Sequence, residues 1–92
     1  MERHQRRIPR IPRRFANKHE FGLAIGWGHL DDAARDRAAK VTLAELRAMD
    51  MTVDIARDWI ELYRDEVHFN PANPSAKGRI ELMRRIIELL EE

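Results

Sequence analysis

The 92-residue chain contains no cysteine, which excludes disulfides, thiolate metal ligands and cysteine nucleophiles. Serine occurs once, at Ser75, inside an Asn-Pro-Ser turn. Hydroxyl nucleophiles therefore have almost no candidate. Glycine is scarce, four residues in all, and Gly22, Gly26 and Gly28 lack the strand, spacing and lysine that a phosphate-cradling loop requires. The longest apolar run, Leu23-Ala24-Ile25-Gly26-Trp27, falls far short of the roughly 20 residues that cross a bilayer. No apolar stretch follows the basic N-terminus as a signal peptide would require. These absences lead us to expect a soluble chain without membrane contact. Its expected place is the cytoplasm of a bacterial or phage-infected cell, with delivery or virion association as a variant. The length allows one domain, and a chain this short buries only about 60 to 65% of its unfolded surface, which leaves little room for a large cleft.

What is present is an asymmetry of charge. Residues 1–18 hold seven Lys or Arg against the single Glu2, while residues 19–92 hold ten against fifteen Asp or Glu. A basic arm, residues 1–14, thus precedes an acidic body, residues 15–92, read as a single helical domain. Within the arm, Ile8-Pro9-Arg10-Ile11-Pro12-Arg13 repeats a tripeptide. The prolines remove backbone donors and push their predecessors into extended conformations, so no helix forms there. At three residues per turn, a polyproline II strap aligns Arg7, Arg10 and Arg13 on one ridge, Ile8 and Ile11 on a second and the prolines on a third. Such an arm suits an acidic protein surface or, through residues 3–18, nucleic acid; a disordered tail is the plain alternative.

The body reads as helices. Asn17 and Glu20 have capping-box spacing for a short helix over 18–26, although a strand at 23–27 stays open. Gly22 sits inside that helix at a cost of about 1 kcal/mol relative to Ala, which suggests that something packs closely there. Asp31 caps a helix over 32–40, Thr42 with Glu45 opens one through Met49, and Thr52 caps a helix from Val53 to about Phe69. On that helix Ala56, Trp59, Ile60, Tyr63 and Val67 fall on one face. Asn73-Pro74 then starts the last helix, 74 to about 90. Its apolar residues Ile80, Leu82, Met83, Ile86, Ile87, Leu89 and Leu90 wrap past the stripe of about 100° that a surface helix needs, leaving a surplus face. The acidic Glu91 and Glu92 disfavour its last turn.

Three constellations could carry function. Asp54, Asp58, Glu61 and Asp65 form an acidic stripe on the Val53 helix, opposite in sign and matched in its linear shape to Arg7, Arg10, Arg13 and Arg14 of the arm. The segment 42–57 resembles the helix-turn-helix of MerR-type regulators, with Arg47 where a small residue usually lets the helices cross and Asp50 where glycine is usual. Its acidic second helix would repel phosphates. Lys18, His19 and His29 are the only group able to exchange protons near neutrality, and they define an RNA-cleaving alternative. The metalloprotease pattern fails because Leu23 stands where a second histidine is needed, and neither a metal nor a cofactor is expected. Ordinary surface histidines are the plain reading.

Taken together, Lys18-His19-Glu20-Phe21-Gly22, Gly26-Trp27-Gly28, Trp59 with Tyr63, and Asn70-Pro71-Ala72-Asn73-Pro74-Ser75-Ala76 followed by Arg79, Leu82 and Met83 resemble a small uncharacterised bacterial and prophage helical family. The resemblance spans residues 15–90 and implies a setting near phage-tail, contractile-injection or polymorphic-toxin loci, with no assigned reaction.

The expected fold is all-α, a compact bundle of four or five short helices with an extended basic N-terminal arm. The expected core is Phe15, Phe21, Ile25, Trp27, Leu43, Leu46, Ile55, Trp59, Ile60, Tyr63, Val67, Ile80, Met83, Ile87 and Leu90. The leading functional expectation is a non-enzymatic interaction or assembly module that binds a protein partner or its own copy. A nucleic-acid binder using the arm and a small toxin nuclease centred on His19 are the alternatives.

Overall fold

A computed structural model describes residues 9–92; Arg7, Ile8 and the rest of the arm lie outside the described residues. Among these the architecture is all-helical, with five α-helices and no strand. They are α1 Lys18–Ile25, α2 Asp31–Lys40, α3 Leu43–Ala48, α4 Val53–Phe69 and α5 Ala76–Glu91. α5 is the central helix, packed against α4, α2 and α3.

That placement accounts for the wide apolar surface of α5. Leu82, Met83 and Ile86 are fully buried, Ile80 and Leu89 nearly so, and Ile87 and Leu90 are partly buried. The face that looks surplus in sequence is covered largely within the chain. The last turn forms despite its acidic end, with Arg57 reaching Glu91 at 3.4 Å.

The caps explain where each helix starts. Asn17 Oδ1 accepts from Glu20 N–H at 2.9 Å, and Gly26, at φ 78°, closes α1 in the left-handed region that suits a residue without Cβ. Thr52 caps α4 through Ile55 N–H. Two boundaries differ from the sequence expectation. Asp31 is not the cap of α2: Leu30 holds that place without a side-chain bond, and the Asp31 carboxylate instead accepts from Gly78 N–H at 2.7 Å, tying α2 to α5. Residues 74 and 75 form a turn rather than helix, yet Asn73 Oδ1 still accepts from Ser75 and Ala76 N–H at 2.8 and 3.1 Å. The strand at 23–27 is absent, since that segment completes α1 and turns at Gly26. Between α3 and α4, Asp50 takes φ 61°, the conformation for which glycine is usual and which Asp tolerates better than most residues.

Thr42 and Glu45 form a complete capping box, and Arg37 Nη2 donates to the same Glu45 carboxylate at 2.8 Å. The Arg37 hydrogen bond, followed by that of the Thr42 N–H, holds the Glu45 carboxyl below its ordinary value of 4.5. A carboxyl depressed in the folded state stabilises the fold above its unfolded value and ceases to do so as pH falls through the folded one. Thr42→Ala should therefore cost about 1 kcal/mol in urea titrations at pH 7. Glu45→Gln should lower neutral stability and flatten the loss of stability below pH 4.5. An unchanged acid limb in Glu45→Gln would refute this assignment.

The core holds an aromatic cluster. Trp59 stacks on Phe21 and Tyr63 at 5.8 and 5.9 Å between centroids, and Trp27 meets Trp59 edge-on at 5.2 Å. Of the expected core, Phe15, Leu43, Val67, Ile87 and Leu90 are only partly buried, while Ala34, Val41, Met49, Met51, Ala56, Ala76, Leu82, Ile86 and Leu89 join it. Pro9 and Pro12 are buried, Ile11 is half-buried against the core, and Arg10 and Arg13 face out.

Candidate functional site

Residues 26–30 join α1 to α2 and, with Asp31, are fastened to the start of α5. Gly28 O accepts from Arg79 Nη2 at 2.6 Å, Asp31 N–H donates to Pro74 O at 2.7 Å, and Ser75 Oγ donates to His29 O. The only serine in the chain thus holds a histidine-bearing loop in place.

That fastening brings His29 to the first turn of α1. Lys18, His19, Gly22, Leu23, Trp27, Gly28, His29 and Arg79 line one pocket of about 340 Å³. Lys18, His19 and His29, grouped from sequence on chemistry alone, do meet there, and all three are exposed. Arg79 and Trp27 complete the site. The Arg79 guanidinium lies 4.6 Å from the Trp27 ring and 5.5 Å from the Tyr63 ring, and its Nη1 donates to Tyr63 Oη at 3.1 Å. Burial pushes the Tyr63 phenol up, with the Arg79 charge opposing, so the phenol stays protonated and accepts. Arg79 Nε is buried without a partner, and Arg79 forms no ion pair among the described residues. Lys18 Nζ stands 5.7 Å from the Trp59 ring.

The lining contains cations, imidazoles and no carboxylate. Three other hollows differ in this respect: one joins Arg35, Arg64, Lys77 and Arg84 with Glu81, one joins Arg35, Arg84 and Arg85 with Glu81 and Glu88, and one joins Arg57, Arg64 and Arg84 with Glu61. Each of these includes at least one carboxylate; the lining of the His19 pocket includes none. No group of three His, Asp or Glu among the described residues is placed to hold a metal ion.

Among the described residues, one ion pair joins arm and stripe. Arg10 Nε pairs with Asp58 at 3.0 Å, and the buried Trp59 Nε1 donates to Arg10 O at 3.0 Å. Arg13, Arg14, Asp54, Glu61 and Asp65 form no ion pair among the described residues, and Arg7 lies outside them. No described helix is long and apolar enough to cross a membrane.

Sequence reasoning missed Arg79 and Trp27 as pocket residues, although the close packing inferred at Gly22 is real: a Cβ there would meet Trp27 Nε1 at 2.6 Å. A five-helix all-α domain carrying a cationic two-histidine pocket is the class the structure defines. The chain belongs to the family described as Domain of unknown function (DUF4951), whose model matches residues 1–90. Comparison with curated proteins and with solved structures finds no match.

Proposed function

We propose that this domain takes an RNA phosphodiester into the Lys18–His19–His29–Arg79 pocket and cleaves it by imidazole acid–base catalysis. The observation that carries the reading is the convergence of two imidazoles, a lysine and an arginine on one pocket whose lining holds no carboxylate. An anionic diester finds neutralising charge there, and the phosphorane formed on attack carries still more negative charge for Lys18 and Arg79 to stabilise. One imidazole takes the 2′-hydroxyl proton as O2′ bonds to phosphorus. The bond from phosphorus to the 5′ oxygen breaks, and the other imidazole, protonated, gives its proton to that oxygen. The products are a 2′,3′-cyclic phosphate and a 5′-hydroxyl end, with no co-reactant consumed.

The setting implied by the resemblance, near phage-tail or polymorphic-toxin loci, belongs to this proposal, because RNA cleavage in a bacterial cytoplasm would arrest growth. The MerR-like reading of residues 42–57 does not, since it sets the α4 stripe against phosphates. The purified protein should cleave single-stranded RNA in the presence of a chelator and leave a 2′-deoxy substrate whole. His19→Ala or His29→Ala, both at exposed positions, should each cut the rate at least about a hundredfold. Expression should stop growth, and His19→Ala should relieve it. RNA left intact by the wild-type chain, or harmless expression, would overturn the reading.

A second reading, the non-enzymatic interaction module, is favoured by three large apolar side chains left in solvent, Leu23, Leu30 and Phe69. These side chains and the exposed Arg13 and Arg14 are within reach of a protein partner or a second copy. It is the reading that remains if RNA survives and expression does no harm.

A further inference from the structure

The two tryptophans of the core differ in one bond. The Trp59 indole N–H is satisfied by Arg10 O at 3.0 Å, whereas the Trp27 indole N–H donates to no group among the described residues. Trp27 is only 7% exposed, yet it lines the pocket. An indole N–H is a donor only, and Trp27 Nε1 is not among the fully buried polar atoms without a partner, so it is within reach of what enters the pocket. One left open on a pocket wall points to an acceptor that arrives with a ligand.

Gly22 keeps that donor open. A Cβ at this position would stand 2.6 Å from Trp27 Nε1, 2.9 Å from Cε2 and 3.0 Å from Cζ2, covering the edge that carries the N–H. The ring has little freedom to retreat, because Phe21, Trp59 and Tyr63 hold it at centroid distances of 5.6, 5.2 and 5.8 Å, and Arg79 lies over it at 4.6 Å. On helix propensity alone, alanine would be the better residue inside α1. What the glycine provides instead is access.

The ligand's character follows from the neighbours. Lys18 and Arg79 are cations, Arg79 Nε is itself unpartnered, and no carboxylate lines the pocket. An acceptor that is also an anion fits this environment. We propose that the Trp27 indole N–H, bared by Gly22, seats a phosphoryl oxygen in the pocket. This inference rests on the pocket named under the proposed function but not on cleavage.

The test is a two-dimensional ¹H–¹⁵N spectrum of the full chain, in which the two indole N–H signals are assigned by the loss of one in Trp27→Phe. Inorganic phosphate is titrated against sodium chloride of equal ionic strength. The Trp27 signal should move downfield along a saturating curve in phosphate and stay put in chloride, while the Trp59 signal holds still in both. Gly22→Ala should weaken phosphate binding at least about tenfold with the Trp59 signal retained. Trp27→Phe, which keeps an aromatic ring and removes the N–H, should do the same if Gly22→Ala fails to fold. A Trp27 signal indifferent to phosphate, or one that moves only in step with Trp59, overturns the proposal even if RNA is cleaved. A saturable Trp27 shift with RNA left whole sustains it and removes the cleavage reading.

Discussion

Trp59→Ala should remove most of the stability of this domain. The side chain is fully buried, stacked on Phe21 and Tyr63, crossed edge-on by Trp27, and its Nε1 donates to Arg10 O. Truncating a buried tryptophan costs about 3 to 5 kcal/mol in lost transfer energy and cavity. The Arg10 carbonyl would lose its partner as well, beside the buried Pro9 and Pro12. A domain of this size is stable by only about 5 to 15 kcal/mol, so the urea midpoint should fall steeply. Trp59→Phe separates the two contributions, because it keeps a stacked ring and deletes the donor. Its cost should be nearer 1 to 2 kcal/mol, and trypsin should cut faster after Arg10. A Trp59→Ala loss below about 1 kcal/mol would mean that the cluster does not organise the core.

Much of the fold was legible because local chemistry and tertiary packing agree. Asn17, Thr42 and Thr52 cap the helices they precede, and the spacing of Ala56, Trp59, Ile60 and Tyr63 marks the buried face of α4. Reading failed where a side chain serves another element. Asp31 has the composition of a cap for its own helix, but its oxygen belongs to Gly78 of α5. The apolar girth of α5 suggested a partner because periodicity counts faces without saying how many neighbours the same chain supplies.

The candidate site was half legible. Lys18, His19 and His29 were singled out because imidazole and amine chemistry can be read from residue type. That they meet depends on three bonds that cross the chain, from Ser75, Arg79 and Pro74 to the 28–31 segment. No periodicity encodes those contacts. Arg79 and Trp27 stood out only as part of the resemblance, Trp27 also as core, and nothing in the sequence places both at one pocket. Of the arm, the described residues are tied to the body by the Arg10–Asp58 ion pair, the Trp59 indole bond and two buried prolines, only the first of which the charge pattern points to.

Gly78→Ala sets two effects against each other, and their magnitudes decide the sign. Alanine is the better helix former by about 1 kcal/mol, which on an exposed face would stabilise. Gly78, however, is buried against the first residue of α2, where an added Cβ would stand 2.5 Å from Asp31 O, 2.6 Å from its Cα and 2.9 Å from its carbonyl carbon. These are backbone atoms and cannot swing aside, so α2 must retreat from α5. The retreat stretches the Gly78–Asp31 bond, the Asp31–Pro74 bond and, through the same loop, the Ser75 and Arg79 anchors of residues 28 and 29. Overpacking of this kind costs about 1 to 3 kcal/mol, more when the backbone itself is the obstacle. With several hydrogen bonds strained besides, the upper part of that range should prevail and outweigh the propensity gain. The net loss should be about 2 kcal/mol by urea titration, and Lys77→Gly, one residue away and exposed, calibrates propensity alone at about 1 kcal/mol. Because the loop carries His29, Gly78→Ala should also weaken phosphate binding in the pocket at temperatures where the chain remains folded, whereas Lys77→Gly should not. A Gly78→Ala chain more stable than its parent would show that α2 and α5 are not in the contact that positions the site.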